Sequence, residues 1–325
     1  MKGLYISPSP HRTDNISTAK IMLTVIIALL PAAAAGCVFF GPRAAAVLAV
    51  CVISCIVFEA LCRIVMKKPQ TISDLSAIVT GLLLGMNLPA TVPFYIPVIG
   101  SFIAIVIVKQ LFGGIGQNFA NPAITARIVL MLSFTPQMSV WVKPYWYSGT
   151  LDAVTGATPL AEKWLYYTEN GVNYKMAPFT LSEMFWGETG GCIGETCAAM
   201  LILGGLFLII TKVISAATPV AFIGSFALLT FIYTGSLNET VYGVLAGGLL
   251  IGAFFMATDY ATTPVTAKGK VVFGIGCGVI TFIIRTFGSF PEGVSFSILL
   301  MNLLTPYIDR LTAAVPFGAK KSSKN

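Results

Sequence analysis

Residues 21–40, IMLTVIIALLPAAAAGCVFF, form one long apolar run without a single charged side chain. A helix of about 20 residues is roughly 30 Å long, which matches the hydrocarbon thickness of a bilayer. The rest of the chain has the same character, because 56% of its 325 residues are hydrophobic and only 10% are charged. Soluble domains carry charge on about a quarter of their residues. The sequence therefore predicts a helical bundle whose solvent is largely lipid.

Further apolar segments predict an all-α polytopic membrane protein with about ten transmembrane helices. The third segment ends at MNLP and the fifth is short, so both are expected to be broken or steeply placed helices. The predicted spans are 21–40, 44–66, 72–88, 94–111, 122–135, 197–214, 218–235, 240–258, 271–287 and 294–314.

The distribution of basic residues predicts the orientation of these spans. An even number of spans places both termini on one side, and the excess of lysine at that side makes it cytoplasmic. The loop 136–196 then lies outside, and it carries three lysines against six acidic residues. This divides the chain into an N-terminal half, 1–135, the extracytoplasmic loop, and a C-terminal half, 197–325, with five helices in each half. Because the basic residues are scattered, the net charge of +7 is assigned to orientation and not to nucleic-acid binding.

Two segments share a pattern that suggests an internal repeat. GLLLGMNLPATVP begins at Gly81 and GAFFMATDYATTP begins at Gly252, and each leads from a glycine-rich helix through polar residues to a proline. Two five-helix repeats with helices broken near the midplane would leave backbone groups that a buried ligand, protein or water must satisfy. Chance similarity between apolar sequences is the alternative.

Charged residues inside or beside the apolar runs need separate explanations. Glu59 lies deep in the second span and requires a partner, which the sequence alone does not identify. Snorkelling to the interface explains the others equally well, since they lie near span ends. These are Asp74, Arg127, Asp259 and Arg285.

Most of the seven cysteines fall within apolar runs, where the thiol acts as a small hydrophobic group. Cys192, Cys197 and Cys277 could hold a metal or cluster together, but the chain has no pair of CxxC motifs. No metal site is predicted.

The segment GGIGQNFANPA, from Gly113 to Ala123, is a candidate binding loop. Its glycines allow close approach of the backbone, and Asn118 and Asn121 offer donors and acceptors suited to the edge of a heterocycle. Asn121 is also a good N-cap for a helix that starts at Pro122. Both interpretations remain open from the residues alone.

A second candidate lies in the outer loop, where DAVTGATPL occupies residues 152–160. The residues alone indicate a turn in which Asp152 caps the backbone, Gly156 provides the bend, and Thr155 and Thr158 bond to nearby peptides. However, Asp152 to Thr158 also resembles the motif D-x-x-[ST]-G-A-[ST]. This motif occurs in two membrane proteins, the B subunit of the sodium-pumping NADH:quinone oxidoreductase and the D subunit of the Rnf complex.

The resemblance covers almost the whole chain, through SPSPHRTDNIST, KQLFGGIGQNFANPA, GCIGET, FFMATD and PEGVSFSILLMNLLTPYID. It is greatest to the D subunit of the Rnf electron transport complex, since the N-terminal extension of the quinone-reductase relative is absent. One departure is TDYATTP, where relatives carry TDP, and there the turn after Asp259 is expected to differ.

This family resemblance implies a flavoprotein of the bacterial cytoplasmic membrane. A flavin transferase would attach FMN through its phosphate to Thr158, with Asp152, Thr155, Gly156 and Ala157 completing the motif. Electrons would pass between iron–sulfur and flavin subunits of the complex, from reduced ferredoxin to NAD⁺, and drive Na⁺ or H⁺ across the membrane. The matching positions Asn118, Asn121 and Asp259 imply a second, noncovalent flavin, riboflavin.

A solute channel or transporter of urea-channel-like fold, without a redox cofactor, is the alternative function. Helices broken near the midplane would suit a pore as well as a redox subunit. The attachment motif favours the redox function, because a channel has no use for a bound FMN.

Overall fold

The computed structural model describes residues 17–148, 158–160, 179–288 and 292–313, and every regular element in these ranges is a helix. Thirteen α-helices are numbered in chain order. The first half contains α1 Thr18–Phe40, α2 Pro42–Val65, α3 Ser76–Met86, α4 Tyr95–Phe102, α5 Pro122–Ser133 and α6 Thr135–Met138. The remainder contains α7 Leu181–Trp186, α8 Ala198–Ile210, α9 Ala217–Thr234, α10 Leu237–Leu245, α11 Leu249–Ile251, α12 Ala267–Phe287 and α13 Val294–Thr312.

Each of the ten predicted spans coincides with at least one helix, which confirms the all-α polytopic class. By length and composition, four of the described helices are both long and apolar enough to cross a membrane: α1, α2, α9 and α12. A fifth is obtained if Leu237–Leu245 and Leu249–Met256 count as one span bent by 68°. The helices α3, α5 and α8 are apolar but short, as is the stretch Tyr95–Gln110. Short and broken helices are therefore more numerous than the two predicted.

Two of the helices widen into π-helical turns. The helix α4 continues as a π-helix over Ile103–Gln110, and α11 continues as one over Gly252–Met256. Such turns are rare and occur often at functional sites. In the first of them both Lys109 and Gln110 are buried, at 2% and 1% exposure.

The turn between α1 and α2 shows how local sequence sets the architecture. Gly41 has a φ of 78° and donates its amide to Cys37, while Pro42 provides the first position of α2. A Cβ at Gly41 would lie 2.5 Å from the ring of Tyr147, so only glycine allows this approach. The indole of Trp146 donates to the carbonyl of Phe40 at 3.2 Å, which holds the early part of the loop 136–196 against the end of α1.

The end of the predicted outer loop packs inside the bundle. Residues 189–197 are all buried, and the amides of Ile193 and Gly194 donate to the carbonyls of Leu88 and Met86 at 3.1 and 2.7 Å. These carbonyls lie just where α3 ends. The loop therefore satisfies backbone groups that the broken helix leaves open, as a lipid-embedded break requires.

Around this buried segment, helices of the N-terminal half contact helices of the C-terminal half. The first helix α1 packs against α8, and α5 packs against α13, while α9 and α12 form an extensive pair. The largest group of buried apolar residues runs continuously through these contacts, from Leu29 in α1 to Ile298 in α13. The two halves therefore share one core.

Candidate functional site

The predicted attachment residue Thr158 lies beside α10. The hydroxyl of Tyr242 donates to the carbonyl of Pro159 at 3.1 Å, and Leu160 packs against a small apolar cluster of Met184, Tyr242 and Ala246. Thr158 itself is half-buried. The other motif residues, Asp152, Thr155, Gly156 and Ala157, lie outside the described residues.

A buried group of charges, called here the arginine centre, lies in the middle of the bundle. It contains Asn87, Arg127, Cys192, Glu195 and Glu292. Arg127 is 3% exposed and donates to Glu195 at 2.8 Å, to Glu292 at 2.5 Å and to the side-chain oxygen of Asn87. Its guanidinium also lies 3.3 Å from the sulfur of Cys192. Snorkelling therefore does not explain Arg127, because its charge is directed inward.

Two carboxylates of this centre share one guanidinium. A Cβ at Gly248 would lie 3.0 Å from an oxygen of Glu195 and 3.0 Å from one of Glu292, so the two carboxylates converge on one point. Burial raises the pKa of Glu292; Glu195 acts in the same direction and Arg127 opposes it. Two buried atoms of the centre, Nε of Arg127 and Oε1 of Glu292, have no hydrogen-bond partner among the described residues.

Arg285 links the arginine centre to the break between α10 and α11. It donates to the carbonyls of Gly243 at 2.7 Å, Ala246 at 3.1 Å and Glu292 at 3.0 Å. The first two bonds satisfy carbonyls that the end of α10 leaves without helical partners. A Cβ at Gly247 would lie 3.4 Å from Arg285 and 3.6 Å from Leu160. The attachment segment therefore reaches the rim of the buried polar centre.

A line of hydrogen bonds continues from the arginine centre to Asp259. The amide of Asn87 lies 3.8 Å from the sulfur of Met256, whose carbonyl accepts from Asn121 at 3.2 Å. With its amide oriented to satisfy both neighbours, Asn302 accepts from the Asn121 backbone at 3.1 Å and donates to the Thr262 carbonyl at 3.2 Å.

The Thr262 hydroxyl ends this line of hydrogen bonds by donating to Asp259 at 3.2 Å.

The three residues predicted to bind riboflavin have different surroundings in the structure. The side-chain oxygen of Asn121 accepts from the amides of Ala123 and Ile124 at 3.0 and 3.3 Å, so Asn121 is the N-cap of α5. In contrast, the buried oxygen Oδ1 of Asn118 has no partner among the described residues. Asp259 is half-buried, and the line described above connects it to Asn121.

The segment from Gly113 to Ala123 is called here the glycine loop. Beside it lies a second charged group, the lysine centre, which contains Glu59, Thr71, Ser76, Lys109 and Gln110. Lys109 donates to Glu59 at 2.8 Å and to Ser76 at 2.6 Å. Glu59 also accepts from Thr71 at 2.7 Å and from Gln110 at 3.1 Å. The deep carboxylate of Glu59 thus has the partner that its burial requires.

The glycine loop covers two further polar atoms without partners. Gly113, Gly114 and Gly116 all have positive φ, at 124°, 106° and 83°. A Cβ at Gly114 would lie 2.6 Å from Arg63, which explains the glycine there. Nε of Arg63 and Oε1 of Gln110 are buried and lack partners among the described residues, as does Asn118. Orphaned donors and acceptors around one loop fit a ligand with a polar edge.

Several residues of these centres were not singled out from the sequence. Lys109 ends an apolar run, and a lysine there with Glu59 in another run is a recognisable candidate pair. Glu292 and Asn302 gave no local signal, because their partners lie on other helices. No group of three or more His, Cys, Asp or Glu that could hold a metal occurs within the described ranges.

These features define an integral membrane protein in which broken helices enclose a buried polar centre. The chain belongs to the NQR2, RnfD, RnfE family, whose sequence profile matches residues 5–318.

Three similar proteins are full-length relatives. The chain is 47% identical, over 99% of its length and 98% of the relative's, to the D subunit of the Na⁺-translocating ferredoxin:NAD⁺ oxidoreductase complex of Acetobacterium woodii. It is 44% identical, over 97% and 96%, to the D subunit of the proton-translocating ferredoxin:NAD⁺ oxidoreductase complex of Clostridium ljungdahlii. It is 36% identical, over 95% and 94%, to the D subunit of the ion-translocating oxidoreductase complex of Stutzerimonas stutzeri.

Proposed function

We propose that this chain is the D subunit of an Rnf-type ferredoxin:NAD⁺ oxidoreductase and carries electrons through FMN joined to Thr158, coupled to Na⁺ or H⁺ translocation. The observation that carries the proposal is the full-length similarity to two D subunits, together with a motif ending at Thr158. The two relatives differ in the ion that their names give, so the proposal covers both ions.

The surroundings of Thr158 support an attachment role. Pro159 and Leu160 are held by Tyr242 and the apolar cluster, so the residue that follows the hydroxyl is fixed against α10. Leu160 and Arg285 both lie close to Gly247, where an added Cβ would contact each of them. A fixed anchor limits how far an attached group can move from the bundle, which favours transfer over a constant distance. Bound FMN would supply one- and two-electron chemistry, while the chain supplies its position.

A second, noncovalent flavin, riboflavin, is proposed at the glycine loop. Asn118 offers an unpartnered oxygen there, and Arg63 and Gln110 each offer another polar atom without a partner among the described residues. Asp259 lies at the end of the hydrogen-bonded line that passes through Asn121. In this proposal Asn118 and Asp259 bind the heterocycle, while Asn121 holds the loop in place by capping α5.

The test of the covalent attachment is the replacement of one hydroxyl. Thr158→Val keeps the shape of the side chain and removes the oxygen, so the complex should assemble and lose in-gel flavin fluorescence from this chain. The peptide containing Thr158 should then lack the mass of one FMN less water. Thr158→Ser should retain label, because a hydroxyl is still present.

Thr155→Val is the matched control, since it removes the other motif hydroxyl. Labelling lost in Thr155→Val and kept in Thr158→Val would assign the attachment to Thr155 instead. A wild-type chain without flavin would favour the channel function, for which the span bent by 68° is the supporting feature.

The proposed setting is the bacterial cytoplasmic membrane, with both termini cytoplasmic and 136–196 outside. The proposed partners are the other Rnf subunits, including iron–sulfur and flavin subunits, and a flavin transferase during maturation. A cysteine at Ser148 should react with an impermeant maleimide in intact cells, and one at Ser323 should not. The reverse labelling pattern would invert the orientation and place FMN on the cytoplasmic face.

A further inference from the structure

A cavity of about 440 Å³ lies away from both charged centres, between the α8–α9 turn and the segment that leads to α12. Its walls combine apolar side chains, such as Ile209 and Val213, with lysine ammonium groups and hydroxyls. The described residues that line it include no aspartate or glutamate. The polar residues of the lining are Lys212, Ser215, Thr218, Thr258, Tyr260, Thr263 and Lys270.

The two lysines give this cavity an uncompensated positive charge. Neither Lys212 nor Lys270 forms an ion pair with another described residue. The nearby acidic side chains are engaged elsewhere, because Asp309 accepts from the Val265 amide at 3.0 Å and Asp259 accepts from Thr262 at 3.2 Å. An anion that entered the cavity would therefore meet two ammonium groups and no carboxylate among the described lining residues.

The start of α9 adds to this positive potential. Residues Ser215, Ala216 and Thr218 line the cavity, and no described side chain other than Ser215, 3.4 Å from the Ala217 amide, bonds the first turn of this 18-residue helix. Pro219 has no N–H and the Ala217 amide is bonded by Ser215, so this turn presents the Thr218 amide and the partial positive charge of the helix N-terminus to an anion. Thr218 is 2% exposed, and its hydroxyl has no hydrogen-bond partner among the described residues. A hydroxyl that is free to donate in the wall of a basic cavity suits a ligand that accepts hydrogen bonds.

We propose that this cavity binds a phosphate-bearing anion, either the headgroup of an anionic phospholipid or a soluble phosphate. Phosphate oxygens accept from ammonium, hydroxyl and amide groups alike. The cavity provides two lysines, the hydroxyls of Ser215 and Thr218 and the Thr218 amide, whereas its other three hydroxyls already donate to backbone carbonyls. The apolar side chains of Ile210 and Val271 are exposed at the same end of the bundle and would suit acyl chains. The proposal is independent of the redox function, since none of the lining residues belongs to the flavin motif.

Two other lysines provide a control for ordinary surface charge. Lys67 follows α2 with a φ of 53°, as Lys212 follows α8 with a φ of 57°. Lys268 lies in the first turn of α12, as Lys270 does, but it is not part of this cavity's lining. Asparagine tolerates a left-handed backbone, so Lys212→Asn and Lys67→Asn are equivalent changes. The pairs Lys212→Asn/Lys270→Gln and Lys67→Asn/Lys268→Gln thus remove equal charge at matched backbone positions.

The experiment uses the full chain, purified in uncharged detergent and freed of lipid. Binding of phosphatidylglycerol, phosphatidylcholine and inorganic phosphate is measured by native mass spectrometry and by calorimetry. At about 1 kcal/mol for each lysine, the cavity pair should weaken binding of the anionic probe about 30-fold. The control pair should change it less than about threefold, and phosphatidylcholine should bind more weakly than phosphatidylglycerol to the wild type.

Thr218→Val distinguishes a specific binding site from nonspecific electrostatic attraction of the anion, because it removes a hydroxyl without changing charge. It should weaken binding of the anionic probe about fivefold, as expected for one lost hydrogen bond. It also keeps the proposal testable if the double variant fails to fold. Phosphatidylglycerol that inorganic phosphate does not displace identifies a lipid site, and binding of inorganic phosphate alone identifies a soluble anion. Equal binding by the cavity pair and the control pair, or no binding of either probe to the wild type, would overturn the proposal.

Discussion

The lysine centre and the arginine centre both bury charge inside the bundle, but they join different parts of the chain. The lysine centre connects α2 with the π-helical end of α4, so all its members belong to the first half. The arginine centre connects α5 to Glu195 at the buried end of the loop 136–196, and to Glu292 just before α13. The first centre holds one half together, whereas the second joins both halves and the loop between them.

The two centres also differ in how their carboxylates are compensated. Glu59 accepts from Lys109, Thr71 and Gln110, so three donors share one carboxylate. Glu195 and Glu292 share a single guanidinium, and their oxygens converge near Gly248. Loss of the one cation should therefore cost more in the arginine centre than in the lysine centre.

Arg127→Met is expected to have the largest effect. It leaves two carboxylates without their cation, and breaking a buried ion pair costs about 3 to 5 kcal/mol. The free energy of unfolding in mixed detergent, or the thermal midpoint of the purified chain, measures the loss. The triple variant with Glu195→Gln and Glu292→Gln should recover part of it, because it removes the unpaired charges.

Arg43→Met is the control for Arg127→Met. Arg43 lies at an exposed position, where it donates to the carbonyl of Thr91 at 3.0 Å, so its loss should cost at most about 1 kcal/mol. Equal destabilisation by the two arginine variants would mean that the arginine centre does not hold the halves together.

Lys109→Met should have a smaller effect on the same measurement. Glu59 keeps its bonds from Thr71 and Gln110, so we expect a loss of about 3 kcal/mol, the lower end of the range for breaking a buried ion pair. Lys67→Met, at the exposed end of α2, should leave stability nearly unchanged. A cost as large as that of Arg127→Met would remove the difference between the two centres.

The two centres also differ in how far the sequence could predict them. Helix positions followed from apolar runs, because each run must bury its own backbone in lipid whatever its neighbours are. The need of Glu59 for a partner followed from its depth, although Lys109 was not identified. The arginine centre could not be predicted, because Asn87, Glu195 and Glu292 meet Arg127 only after folding brings distant segments together.

The burial of the end of the loop 136–196 was not predicted, for a related physical reason. The acidic residues and polar character of 136–196 predicted that this loop lies outside the membrane, and loops usually lie at the protein surface. Here residues 189–197 are buried because they satisfy the open end of α3. A break in a lipid-embedded helix leaves carbonyls that need hydrogen-bond donors, but the sequence does not show which segment provides them.

The asparagines of the glycine loop offer the smallest expected effect and extend the comparison to a ligand. Asn121→Ala removes the N-cap of α5, which should cost about 1 kcal/mol of stability, because side-chain bonds to two amides are lost. Asn118→Ala should leave stability nearly unchanged, since its buried oxygen has no partner among the described residues.

If riboflavin binds there, Asn118→Ala and Asp259→Ala should each lower the riboflavin extracted per chain while the FMN on Thr158 remains. The loss should correspond to about 1 to 3 kcal/mol for each bond removed, measured by chromatography of the extracted flavins. A wild-type chain without riboflavin, or an unchanged content in both variants, would reject the noncovalent site. An Asn118→Ala variant as unstable as Asn121→Ala would instead give Asn118 a structural role within the loop.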